Sequence, residues 1–249
     1  MALLSQPVQR EPVFRQVYAA IERQIVSDEL AIGDTLHAET EIARLFSVNR
    51  SPVREAIRLL EENGLAERRE GGKRLYVTSP KRSLMTTRMI NTFVMNEITA
   101  QDIYEVVRML QAEIATMAAE RVTQEQLLAL EENIAKTEAN LHDDTMNETL
   151  DSEFHELLIK ATGNRAMHWV GLGFFELNCP MAHQIFKHGG ETVKTRNLQA
   201  HRHILAALRN HDATRAREWA VKHADDFMRG YKAAGLDMHA PVEPVKITL

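Results

Sequence analysis

The chain has 249 residues, 44% of them hydrophobic and 26% charged, with a formal net charge of −5. This balance supplies a buried core and excludes a disordered chain, and the length admits one large or two ordinary domains. With 35 acidic against 30 basic residues, the chain as a whole is no polycation, so nucleic-acid binding would need basic groups gathered on one surface.

A single cysteine, Cys179, rules out a disulfide within the chain and fits a reducing cytoplasm. The opening MALLSQPVQRE has no apolar run behind a basic patch, so a signal peptide is not expected. No stretch nears the roughly 20 apolar residues of a membrane span.

Residues 1–11 are expected to form a flexible arm. Pro12 to Ser27 carries Val13, Val17, Ile21 and Ile25 at four-residue steps, which predicts an amphipathic helix. DELAIGDTL reads as a turn broken by Gly33 and Asp34. A second short helix is expected about Ala38 to Phe46, with Ile42, Leu45 and Phe46 inward. A third follows within FSVNRSPVREAIRLLEENG, Phe46 to Gly64. Asn49 or Ser51 can cap it, Pro52 sits in the first turn where a missing N–H costs nothing, and Gly64 is placed for a left-handed cap. Its apolar stripe is Val53, Ala56, Ile57 and Leu60, with Leu65 beyond. Arg50, Arg54 and Arg58 fall on the other side. That helix suits a DNA major groove, where Arg donates two hydrogen bonds to guanine or grips phosphate. A solvated surface helix with ordinary arginines fits the stretch equally well.

Two short strands, Ala66–Arg69 and Leu75–Thr78, flank EGGKR, where Gly71 and Gly72 permit a tight hairpin armed by Lys73 and Arg74. Three helices and a basic hairpin are the layout of a winged helix-turn-helix, with the hairpin against the minor groove or backbone. From Arg50 to Arg74 there are seven basic and five acidic residues, a local and modest bias.

Residues 12–79 are therefore expected to be one domain and 80–83, with Pro80, a linker. The rest reads as helix: near 84–96, 101–121, 124–141, 147–161, 165–186, 191–209 and 212–234. Breaks are expected at Thr99, Thr123, His142–Thr145, Gly163–Asn164, Gly189–Gly190 and His211–Asp212. The fold class is mainly α, a winged helix-turn-helix followed by an all-helical bundle over 84–235. The tail, 236–249, with Pro241 and Pro244, is expected to be loosely ordered.

Gly33 through Leu36, Glu39, Ile42, Ala43 and Phe46, then NRSPVREAIRLLEENGL and the Gly-rich wing, resemble the GntR superfamily of bacterial transcription regulators. The helical half resembles its FCD-type ligand-binding domain, which points to the FadR-like branch. The likeness spans about residues 12–235, and the extra helix near 84–96 corresponds to the seven-helix form of that domain. The resemblance implies that Arg50 and Arg54 meet guanine and phosphate, that Ser51 and Pro52 lie against the backbone, and that Gly72 and Lys73 form the wing tip. Thr40 stands where several relatives have a DNA-contacting arginine, and Arg74 where many have a second wing glycine. Operator DNA and a second copy of the chain are the implied partners.

In the helical half, Asp151 and His155 lie four apart on one helix face, His201 near the start of a later helix and His223 in the last. Carboxylate and imidazole donors suit Zn²⁺, Ni²⁺, Mn²⁺ or Fe²⁺ better than Ca²⁺. The spacing alone fits surface neighbours or a helix-stabilising contact better than a metal site. The resemblance implies one divalent metal, most simply zinc, because the family's metal ligands fall on these four positions. It further implies a small carboxylate or sugar acid in the open coordination positions, with an arginine pairing its charge. Arg108 is the candidate, although relatives usually place the arginine at position 107, here Val107, and an acid where Gln111 stands. Arg108 alternatively forms a structural ion pair with Glu105 or Glu113. His203 points to another face than His201, and His142, His168, His183, His188 and His211 lack a matching partner, with His183 a possible pocket wall. Trp169, Leu172, Phe174 and Phe175 fit the core or a dimer interface better than a ligand cage.

The expected function is a ligand-responsive regulator, most often a repressor. A metal sensor is the alternative. A metal-dependent hydrolase lacks a general base beside the ligands and has no need of a DNA-binding half. An acyl-CoA sensor poorly suits a polar metal pocket.

Overall fold

The computed structural model of the chain describes residues 11–69 and 72–242, apart from the side chains at 178–182, 184 and 189. Contacts divide the chain into two compact units between Met85 and Thr86.

The first unit holds α1 (Val13–Val26), α2 (Glu39–Leu45), α3 (Arg50–Glu62), β1 (Ala66–Arg68) and β2 (Leu75–Val77). Its core gathers Val17 and Ile21 of α1, Ile42 and Ala43 of α2, and Val53, Ala56, Ile57 and Leu60 of α3. Each large aliphatic side chain so buried contributes about 1.5–3 kcal/mol. These are the apolar positions at helical spacing, and their burial leaves Arg50, Arg54 and Arg58 outward.

Helix α3 ends as expected. Gly64 takes φ +69, its N–H bonds the Glu61 carbonyl, and the Leu65 N–H reaches back to the Leu60 carbonyl at 2.8 Å. Those two bonds, with Leu65 and Leu60 both in the core, make a Schellman cap. The start of α3 differs from expectation. Asn49 holds the N-cap position with extended backbone but makes no side-chain capping bond, and Ser51 is already inside the helix. The physical reason is Pro52: it occupies the third helical position, whose N–H is a usual target of a capping side chain and is absent in proline.

β1 and β2 pair antiparallel with Glu67 opposite Tyr76. The stretch read as a plain turn does more than turn. Thr35 bridges to Tyr76, and the Leu36 N–H bonds the Leu75 carbonyl at 2.9 Å. β2 thus sits between β1 and the Gly33–Leu36 segment. Of the hairpin tip, Gly71 lies outside the described residues, as do residues 1–10 of the expected arm. Gly72 donates its N–H to the Arg69 carbonyl at 2.9 Å.

The second unit contains α5 (Ala100–Arg121), α6 (Gln124–Ala139), α7 (Asp144–Ala161), α8 (Arg165–Arg209) and α9 (Ala213–Ala233), with α4 (Arg82–Met95) running across the division. The predicted breaks coincide with helix starts. Thr99 and Thr123 each build a reciprocal capping box, with Asp102 and Gln126. Asp143, Asn164 and Asp212 cap α7, α8 and α9 through their side chains. Each satisfies backbone N–H groups that a helix start leaves orphaned. α8 is two helical segments joined at Gly190, whose φ of 57° and ψ of −156° are not helical. α9 passes close to α8 at Gly230, where an added Cβ would lie 2.8 Å from Ile185 Cγ2. The core collects Leu130, Phe154, Leu158, Ile159, Ile204 and Leu208 from three helices.

The tail expected to be loose is docked as far as it is described. Met238 is buried, Gln101 N–H bonds the Met238 carbonyl at 2.9 Å, and Val242 N–H bonds the Ile98 carbonyl at 2.9 Å. Residues 243–249 lie outside the described residues. The 236–242 segment finds backbone partners at the start of α5, which proline content alone does not reveal. No helix among the described residues is long and apolar enough to cross a membrane.

Candidate metal centre and nucleic-acid interface

In the first unit, one concave surface is lined by Thr40, Arg50, Lys73 and Arg74, together with Arg68, His37 and Glu39. It brings the start of α2, the start of α3 and the hairpin side by side. Arg54 joins from α3 through Glu39, whose Oε2 accepts from Arg54 Nε at 3.2 Å. Ser51 is exposed and Pro52 half-buried at the tip of α3, and Gly72 is exposed beside Lys73. Arg58 stands apart: it pairs within its own helix, with Glu55 at 2.6 Å and Glu62 at 3.8 Å. Two basic groups escaped notice in the sequence. Arg68 bonds the Lys73 carbonyl at 2.9 Å and so braces the wing, while the Arg69 guanidinium lies 3.9 Å over the Tyr76 ring. The surface offers an exposed helix, guanidinium donors and a basic hairpin, the elements a duplex requires.

In the second unit, α7 contributes Asp151 and His155, the second segment of α8 contributes His201, and α9 contributes His223. The three imidazoles are 5%, 1% and 5% exposed. One ring nitrogen from each lies within 4.8 Å of the others, and His155 Nε2 faces His223 Nε2 at 3.2 Å. Asp151 Oδ1 stands 3.5 Å from His201 Nε2. It also accepts from Asn197 Nδ2 at 2.7 Å. Asn197 lies one turn before His201, so α7 and α8 each present a pair of polar groups four residues apart on one face.

The cluster is short of partners. His155 Nδ1 and both ring nitrogens of His201 are buried without a hydrogen bond, a cost of about 1–3 kcal/mol for each such group. Burial drives the imidazoles toward the neutral form: His155 is pushed down to about 3 and His223 to about 4. His201 falls well below the usual histidine value, again through burial and then through its two neighbours. Burial pushes the Asp151 carboxyl up. Neutral imidazole nitrogens gathered beside a carboxylate are the donor set of a divalent transition metal, and a cation there would hold Asp151 ionised and give His201 a partner through one of its two ring nitrogens. Aromatic walls fix the rings. Phe154 stacks on His201 with centroids 3.7 Å apart, and Phe175 stacks on His155 at 4.4 Å. Phe175 packs against the core, as the sequence reading had it, and also borders this cluster.

Arg108 has a partner that local spacing did not suggest. Its Nε donates to Asp225 Oδ1 at 2.6 Å, and Tyr104 Oη donates to the same oxygen at 2.6 Å. Glu105 instead accepts from Gln101, and Glu113 pairs with Arg217. Asp225 lies two residues beyond His223, about 200° around α9, so this clamp looks away from the imidazoles. His203 stacks on Trp219, and His183 meets Glu148.

Residues 14–75 match the bacterial regulatory proteins of the gntR family, and residues 102–226, about half of the chain, match the FCD domain. The chain is similar to the uncharacterized HTH-type transcriptional regulator YdhC of Bacillus subtilis, 26% identical over 223 residues that cover 85% of this chain and 88% of that one. It is also similar to the Uxu operon transcriptional regulator of Escherichia coli, 28% identical, covering 86% and 84% of the two chains. The HTH-type transcriptional repressor NanR of Salmonella typhimurium is 25% identical, with 94% and 90% covered. Among solved structures, Streptococcus agalactiae GntR superposes with a TM-score of 0.64 at 27% identity, covering 87% of this chain and 99% of that one. The matched segments contain the basic concavity in one unit and the imidazole cluster in the other, and with them the chain belongs to the GntR family of DNA-binding bacterial transcription regulators, its second half an FCD domain.

Proposed function

We propose that this regulator is a cytoplasmic homodimeric repressor whose operator affinity is set by a small carboxylate or sugar acid, held at one divalent metal per chain by Asp151, His155, His201 and His223. The observation that carries the reading is the convergence of three buried, neutral imidazoles, with His201 making no hydrogen bond through either ring nitrogen. Similarity to the repressor NanR supports the sign of regulation. When bound, the metal would supply positive charge, and an ion that takes more than these four ligands would have room for an anionic effector. Asp151 and the three histidines hold it, Asn197 orients Asp151, and Phe154 and Phe175 set the planes of two rings. Two winged domains related by the dimer axis read two half-sites, through Arg50, Arg54, Ser51 and Thr40 at the helices and Gly72, Lys73 and Arg74 at the wing. An effector that favours one dimer geometry lowers operator affinity by the ratio of its affinities for the two geometries. In this reading Arg108 clamps α5 to α9 through Asp225, rather than meeting the effector.

A thermal-shift screen tests it. Zinc-loaded protein is melted with a panel of small carboxylates and sugar acids, because a ligand of the folded state raises the melting temperature by mass action. The reading expects a hit that needs zinc and disappears in His201→Ala. A panel without hits, or a hit indifferent to zinc and to His201, contradicts it.

A further inference from the structure

The reading arginines share an acid that no need of the fold explains. Glu39, the first residue of α2, places Oε2 3.2 Å from Arg54 Nε and 3.8 Å from Arg50 Nη2. Its side chain is 25% exposed, against 60% for Arg50 and 67% for Arg54. A carboxylate here faces a polyanion, and by charge alone it lowers affinity for any duplex. α2 does not require it either. The favourable interaction of an acid with a helix start is also supplied by Glu41, in the same turn, which pairs with Arg44.

The geometry of the contact gives the acid a use. Glu39 takes Arg54 by Nε, the side edge of the guanidinium. The two terminal nitrogens are left outside that contact, and they form the edge that meets guanine O6 and N7 in the major groove. A flexible side chain held before binding loses less freedom on binding, and its planar fork is held at one angle. We infer that Glu39 is a positioning residue for base reading: it fixes the plane of Arg54, with Arg50 at the margin, and so trades general DNA affinity for discrimination between sequences. The inference rests on Arg54 meeting bases, as the proposed function has it.

The two effects of Glu39 have opposite signs, and this makes them separable. A duplex is first selected from a random-sequence pool by the full-length chain, and a scrambled duplex of equal length serves as the non-specific probe. Affinities for both are measured at several salt concentrations for wild type, Glu39→Gln, Glu39→Ala, Glu41→Gln and Arg54→Ala, and for Glu39→Ala combined with Arg54→Ala. Removing the acid should leave binding to the scrambled duplex unchanged or tighter, while the selected-to-scrambled ratio falls roughly threefold to tenfold. Glu41→Gln, which removes the same charge from the same turn, should keep the ratio. In the Arg54→Ala background the Glu39 substitution should no longer move the ratio, since its effect runs through that side chain. The Ala variant closes the case in which Gln at 39 still accepts from Arg54. An unchanged ratio in both Glu39 variants overturns the inference, as does a fall that persists without Arg54 or that Glu41→Gln reproduces. If the pool yields no enriched duplex, or Arg54→Ala leaves the ratio intact, the failure lies with the proposed base reading, and the inference falls with it.

Discussion

The two functional regions solve opposite physical problems. At the surface proposed to read DNA the groups are charged and wet: Arg50 and Arg54 are 60% and 67% exposed. Their ion pairs are worth about 0–1 kcal/mol each, enough for Glu39 to bias the plane of Arg54 while the terminal nitrogens stay open to solvent or a base edge. In the helical unit the active groups are dry and uncharged. His201 is 1% exposed, and burial removes the proton that a surface histidine would carry at mild acidity. In the proposed reading the first region works because its charges stay exposed, where a base edge can reach them. The second works because its donors are neutral, locked by stacked rings, and costly to leave unsatisfied.

The contrast is tested most strongly at the cluster. His201→Ala should lower zinc affinity by roughly a hundredfold or more, since even outer partners of metal ligands are worth about 10–100-fold. Calorimetric titration of chelator-stripped protein reads this directly, and wild-type affinity in the variant would remove the cluster from metal binding. At the surface, Arg54→Ala should cost about 1–3 kcal/mol on a selected duplex, the range of one bidentate base contact. The melting temperature should stay put because the side chain is exposed. Arg58→Ala should cost much less, as its partners are Glu55 and Glu62 of the same helix. Equal losses at 54 and 58 would mean a diffuse electrostatic surface rather than a reading one.

Asn197→Ala should weaken zinc by about tenfold without unfolding the bundle, because it frees Asp151 from its one side-chain donor. No change would place Asp151 outside the coordination sphere.

The smallest effect concerns the Arg108 clamp. The Tyr104 phenol is pushed up to about 12 from 10.0, by burial first and then by its bond to Asp225. Its folded value exceeds its unfolded one, so the stability it contributes is complete below pH 10 and is lost as pH climbs toward 12. The Asp225 carboxyl is held below the usual 3.8, chiefly by Arg108, so its contribution is lost only as pH falls below that value. Ultraviolet titration should show one of the four tyrosines ionising late, and Tyr104→Phe should delete that component. A late component that survives the substitution belongs to another tyrosine.

Local chemistry was the legible part of the fold. Thr99, Thr123, Asn164 and Asp212 could be read as breaks because a helix start must satisfy its own N–H groups within a few residues. Gly64 could be read as a cap for the same reason. The partners found across long separations could not. Asn197 meets Asp151 over 46 residues, and Arg108 meets Asp225 over 117; nothing in local spacing ranks Asp225 above the nearby Glu105 and Glu113. Glu39 was visible only as part of a family pattern, because its role depends on α2 and α3 lying side by side. The Asp151–His155 pair was legible as a helix face, but its meeting with His201 and His223 came from resemblance, since convergence of three helices is a tertiary fact. Pro52 misled in a small way: it marked the helix start correctly and at the same time removed the N–H that a capping Asn49 would have used.

One measurement bears on the whole scheme: the affinity of the full-length chain for its selected duplex, followed by fluorescence anisotropy with zinc and the carboxylate that gives the largest thermal shift. Wild type should release the duplex as the carboxylate is added. His201→Ala should bind the duplex as tightly as effector-free wild type and ignore the carboxylate. Equal release in both proteins, or release in neither, would show that the imidazole cluster does not govern the DNA-reading surface.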